Sequence, residues 1–84
     1  MPELTLEQLR EIESRHVVAT PGPWKSYIEG RNHTSGSSFI QTQGEDIYLT
    51  GATQADQDFI AAARDDVPKL VAEIRRLRAL LPQR

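Results

Sequence analysis

The stretch TQADQDFIAAARDDVPKLVAEIRRLRALL, residues 53 to 81, decides how the rest of the chain is read. Ile60, Ala63, Val67, Leu70, Ile74, Leu77 and Leu81 recur in it at alternating three- and four-residue steps, the a/d spacing of a helix that packs along another helix. Thr53 with Asp56 forms a capping pattern at its start, and Pro82 stops it. Pro68 interrupts it. Proline inside a helix costs about 3 kcal/mol or more but is tolerated in a first turn, and Asp65 or Asp66 stands in place to cap a new helix just before it. The spacing predicts a helix over 53–64, a kink or short break at 65–67 and a second helix over 66–81.

Upstream, the period changes from helical to alternating. Residues 24–29, 38–42 and 46–50 are short β-branched or aromatic runs set between glycine-rich turns, which predicts three antiparallel strands. Gln43-Gly44-Glu45 is short enough for a hairpin loop between the second and third. Nearer the N-terminus, Thr5 with Gln8 is a capping box and Leu4 with Leu9 a hydrophobic staple. They open a helix over 5–17 that Pro21 and Pro23 prevent from continuing. The expected fold is α+β, one small domain over 1–84: an N-terminal helix, a three-stranded antiparallel sheet and a kinked C-terminal helical pair with coiled-coil-like distal heptads. Ile28, Ile47, Leu49 and Phe39 or Ile40 should face the first helix, Phe59, Ile60 and Ala63.

Size makes that core a difficulty. The chain has 84 residues at 38% apolar, and so short a chain hides only about 60–65% of its unfolded surface. It has no cysteine and only two histidines, so disulfides and thiolate metal sites are excluded and no metal or other cofactor is expected. Oligomerisation remains as the support. About sixteen helical residues beyond Asp65 reach roughly 24 Å, further than so small a sheet extends. Leu70, Ile74, Leu77 and Leu81 are therefore expected to meet a second copy, in a dimer or a higher oligomer.

Net charge is −2, which speaks against a general nucleic-acid binder. The charge is split: residues 1–66 carry five cations and eleven carboxylates, residues 67–84 five cations and one carboxylate. No run of 18 apolar residues occurs and the first residues hold Glu3 and Glu7 in place of a basic leader; the expectation is a soluble, cytoplasmic protein with no membrane partner.

Two stretches carry a resemblance. Ala19-Thr20-Pro21-Gly22-Pro23-Trp24 and, after a variable β-rich middle, ADQDFIAAARDDVPKL over 55–70 resemble the shared segments of small phage and prophage proteins grouped near the Ead-like phage early proteins. Gln57-Asp58 stands where many of those proteins have a single acidic residue before the phenylalanine. The resemblance implies a phage-related accessory role, in a host cytoplasm, and brings no catalytic residue with it. In physical terms Pro21-Gly22-Pro23 is a rigid turn and Trp24 a large anchor for it, or alternatively a stacking platform.

Catalytic motifs for phosphate loops, nucleophile elbows, zinc proteases and calcium loops are absent from the sequence, so no enzyme is expected. His16 reads as a helix-end hydrogen-bonding residue, and Asp65-Asp66 as helix capping ahead of Mg²⁺ binding. The richest polar stretch is 30–38. Its cation Arg31, imidazole His33, hydroxyls including Ser35 and Ser37, and two glycines are the inventory of an anion site, with Trp24, Tyr27 or Tyr48 available to stack on a base. The bland reading is an exposed hairpin loop. A third surface is basic, Lys69, Arg75, Arg76 and Arg78, suited to an acidic partner or to ordinary helix flanks. Three expectations follow: a self-associating accessory protein that sequesters a phosphorylated small molecule, such as a nucleotide signal of host defence; an interaction or regulatory module docking a host protein through the basic helix; and a structural protein with no ligand.

Overall fold

The structure, a computed structural model, describes residues 3–34 and 36–81. It is α+β, with two helices and a two-stranded antiparallel sheet: α1 (Leu6–Val18), β1 (Lys25–Tyr27), β2 (Phe39–Gln41) and α2 (Gln54–Ala79). Both helix starts are those read from the sequence. Thr5 Oγ1 accepts from the Gln8 N–H at 3.0 Å while Gln8 Oε1 accepts from the Thr5 N–H at 2.8 Å. Thr53 and Asp56 repeat the exchange at 3.0 and 3.1 Å. Each box satisfies two N–H groups that the first turn leaves without a helical partner.

The third strand is reduced to one bridge. Ile40 and Ile47 exchange backbone hydrogen bonds of 2.8 and 2.9 Å, and on the turn side a hydroxyl takes the groups that would extend the ladder. The Thr42 hydroxyl takes the Glu45 carbonyl and the Gly44 N–H, each at 2.8 Å, and the Ser38 hydroxyl takes the Glu29 N–H at 3.1 Å. Side chains that bond locally to backbone compete with a sheet in this way. In the remaining pair Lys25 faces Gln41, Ser26 faces Ile40 and Tyr27 faces Phe39.

The expected kinked pair is a single helix with Pro68 inside it. Proline removes only the one bond from its own nitrogen to the carbonyl four residues back, and the turns on either side remain helical, so Asp65 and Asp66 lie within α2 and cap nothing. The chain divides into two compact units: Thr20–Asp65, and the N-terminal segment through Ala19 with the chain from Asp66 onward. Among the described residues no helix is long and apolar enough to cross a membrane.

Within the Thr20–Asp65 unit, Ile28, Ile40 and Ala61 are buried, and between them lies a polar residue, Gln57. Its side-chain amide donates to the Ser26 hydroxyl, the Tyr27 carbonyl and the Phe39 carbonyl at 3.0, 3.1 and 3.0 Å. One buried amide on α2 thus joins both strands. Phe59 and Ile60, expected against the sheet, instead line an open cleft with Leu49 at the start of α2, and Phe59 is 74% exposed. The heptad reading missed this because Gln57 and Ala61 occupy the inward face, and neither carries a strong hydrophobic signal.

Gln57→Leu is expected to lower stability by about 1–3 kcal/mol, since it strips a buried donor from three acceptors and leaves no replacement. Urea unfolding should show a lower midpoint with an unchanged slope.

Candidate binding surfaces

The two stretches that carry the sequence resemblance meet in space. The Thr20 carbonyl accepts from the Trp24 indole N–H at 3.0 Å and from the Arg64 Nε–H at 2.9 Å. A Cβ on Gly22 would stand 2.9 Å from Asp65 Oδ1 and 3.4 Å from Arg64 Cγ, so glycine lets the turn lie directly against α2. This is the anchoring role for Trp24, with its polar edge committed to the turn it closes.

The 30–38 loop is closed on itself. The Ile28 carbonyl accepts from the N–H groups of Arg31 and Asn32, and Asn32 Oδ1 returns to the Ile28 N–H at 2.8 Å. The Gly30 N–H donates to the His33 carbonyl at 2.7 Å, and the Gly36 N–H to the Glu29 carboxylate at 3.0 Å. Gly30 and Gly36 have φ of +87° and +130°, the region where a side chain is strained. The backbone donors that an anion would need at Gly30, Arg31, Asn32 and Gly36 are occupied.

Arg31 is engaged as well. Its guanidinium grips the Asp58 carboxylate of α2 with two bonds of 2.9 and 2.8 Å, the bidentate fork that suits guanidinium to carboxylate. Arg31 and the Ser26 side chain together hold the Asp58 carboxyl down from an ordinary 3.8 to about 2, and the same Asp58 hydrogen bond raises Arg31. His33 Nδ1 lies 3.5 Å from Glu29 Oε2. Ser37 is exposed, and Ser35 falls outside the described residues.

The stacking candidates separate. Tyr27, His33 and Tyr48 come together around Phe39, which the sequence reading did not single out as a site residue. Tyr27 and Phe39 stack with centroids 5.1 Å apart and planes 11° apart, and His33 and Tyr48 lie 5.5 and 5.9 Å from Phe39. The available signal was strand alternation: Tyr27 and Phe39 are cross-strand partners on the face opposite Ser26 and Ile40. Arg31 and Trp24 do their bonding elsewhere.

The distal part of α2 presents a third surface. Its cations are used within the chain: Arg75 Nη2 lies 2.7 Å from Glu13 Oε1, Arg78 donates to the Leu4 carbonyl, and Arg76 pairs with Glu73. Its leucines are open. Leu70 is 60%, Leu77 49% and Leu81 63% exposed, while Val71, one position along, is buried with Leu9. Ile74 is half-buried and lines an apolar cleft of about 220 Å³ with Leu4, Leu9, Ile12, Val67, Leu70 and Val71. Among the described residues no cluster of three or more His, Asp or Glu is placed to hold a metal.

The lowered Asp58 carboxyl fixes the sign of an acid dependence. A group depressed in the folded state stabilises fully above its unfolded value of 3.8 and loses that contribution as the pH falls towards 2. Thermal unfolding across that window should fall more steeply for the wild type than for Asp58→Asn or Arg31→Ala. Comparison of the chain with protein-family models, with curated proteins and with solved structures found no match.

Proposed function

We propose that the protein is a non-catalytic accessory module that works as a self-assembly, joined through the distal leucine face of α2. The observation that carries this reading is the exposure of Leu70 and Leu77 on α2, and of Leu81 just past its end at Ala79, short of the helix over 66–81 that the spacing predicts, beside an inward position, Val71, that already serves the chain's own packing. Fully burying a leucine side chain is worth about 1.5–3 kcal/mol, and the adjoining apolar cleft extends the same surface. The unit itself is short of core. Leu9 and Val71 are its buried apolar residues among those described, and fewer than about 40 residues seldom hold a fold unaided.

A second copy is the occupant that the charge pattern favours. Over 54–66 α2 has one cation and four carboxylates; over 67–79 it has four cations and one carboxylate. Two α2 helices antiparallel over their full length set the acidic half of each along the basic half, with its leucines, of the other, whereas a parallel pair sets like against like. Exposed pairs contribute about 0–1 kcal/mol each, so the charges select direction and the leucines supply affinity. An antiparallel pair is also self-complementary, as a two-fold interface requires. An acidic host protein on the basic flank has less support, because it would leave Leu70 and Leu77 uncovered. The phosphorylated ligand in the 30–38 loop likewise has less support, because Arg31 is spoken for by Asp58. The phage resemblance fits an accessory role of this kind.

Leu70→Glu combined with Leu77→Glu should convert an oligomer into a monomer by size-exclusion chromatography with light scattering, with the helical circular dichroism retained because both positions are exposed in the single chain. Unchanged mass in the double variant would contradict the reading.

A further inference from the structure

The outer face of the β1–β2 ribbon is built differently from the rest of the surface. Ser26 and Ile40 point to the side of Gln57, so the register puts Lys25, Tyr27, Phe39 and Gln41 on the other side. Tyr27 and Phe39 stack almost parallel there, and Tyr48 continues the row at 5.9 Å from Phe39. Lys25 Nζ closes one end, 5.0 Å from the Tyr27 ring centre. At the other end the Tyr48 ring is 63% exposed. The row therefore has one end held by a cation and one end open.

Charge decides what the open end takes. The face of an aromatic ring is electronegative and attracts cations, and Lys25 shows it doing so within this chain. The surrounding unit, Thr20–Asp65, holds three cations and six carboxylates. Of its cations Arg31 is bound to Asp58 and Arg64 donates to Thr20, leaving Lys25 on the aromatic row. The Glu29 carboxylate stands by His33, which itself packs 5.5 Å from Phe39. A nucleotide would meet rings suited to its base and carboxylates opposed to its phosphate. A guanidinium meets favourable terms from both, and its planar shape stacks on a ring in a way that an ammonium does not.

We propose that the outer aromatic face of the ribbon is a binding site for an arginine side chain of a basic peptide, stacked on Tyr48 and favoured by the unit's excess of carboxylates, Glu29 among them. The inference stands apart from self-assembly through α2. It is tested on the full chain by following tyrosine ring signals in NMR while titrating an arginine-rich peptide, the same peptide with lysine in place of arginine, and adenosine monophosphate. The arginine peptide should shift Tyr48 and Tyr27, the lysine peptide should bind several-fold more weakly, and adenosine monophosphate should leave both unmoved. Tyr48→Ala should abolish the shift of Tyr27, Tyr48→Phe should keep it, and Glu29→Gln should weaken binding several-fold. Binding of the nucleotide in preference to the peptide would overturn the assignment. So would equal binding of the arginine and lysine peptides, indifference to Tyr48→Ala, or no response to any of the three.

Discussion

The constraint on which the rest depends lies in how α2 is turned. In each compact unit α2 offers one face to that unit's own packing, through Gln57 and Ala61 in Thr20–Asp65 and through Val71 in the other. The large apolar residues follow a stripe offset by one position, Ile60, Leu70, Ile74 and Leu77. An offset of one residue rotates a stripe by about 100°, so the two faces overlap along one edge only. Val67 and Ile74 lie in that overlap, half-buried, while Leu70 and Leu77 fall outside it. Along α2 a glutamine, an alanine and a valine serve the chain's own packing, and Leu70 and Leu77 are left to solvent.

Gln57 explains how so weak an inward face still holds a sheet. Two three-residue strands bury little, and an isolated pair of strands is marginal in water. An amide that donates to both strands replaces apolar area with directed bonds in a site closed to water, where such bonds are strong and their loss is costly. Arg31 and Asp58 act one residue further along the helix, fastening the 30–38 loop to α2. Arg64 and Gly22 do the same for the proline turn. Two of the connections leaving the ribbon are thus tied to the first half of α2 by a polar contact, and these contacts engage Arg31 and Arg64.

Much of this was legible in the sequence. Helix starts were, because capping is chemistry local to three residues: Thr5 with Gln8 and Thr53 with Asp56 are read directly. Strand positions were, because alternation is local too. The reduction of the third run to a single bridge was not, since it depends on the Thr42 hydroxyl taking the Glu45 carbonyl. Nor was the continuity of α2 through Pro68, where the cost of one lost bond is set against helical turns on both sides. The engagement of Arg31 in the candidate loop was hidden for a related reason. Composition counts Arg31 as a charge, but the carboxylate that takes it lies 27 positions away at Asp58. Periodicity found the leucine stripe and could not say that the chain's own core would use the neighbouring one.

What results is a small chain that ties Arg31, Arg64, Arg75, Arg76 and Arg78 to its own groups while Leu70, Leu77 and Leu81 stay exposed, an apolar surface that a protein acting alone rarely shows. The proposed assembly accounts for that surface by covering the leucines, and takes its direction from the acidic and basic halves of α2. The most direct measurement is sedimentation equilibrium of the wild-type chain across the micromolar range. The account predicts a mass that is an integer multiple of the chain, falling towards the monomer only on dilution. A folded protein that stays at the mass of one chain throughout that range would contradict it.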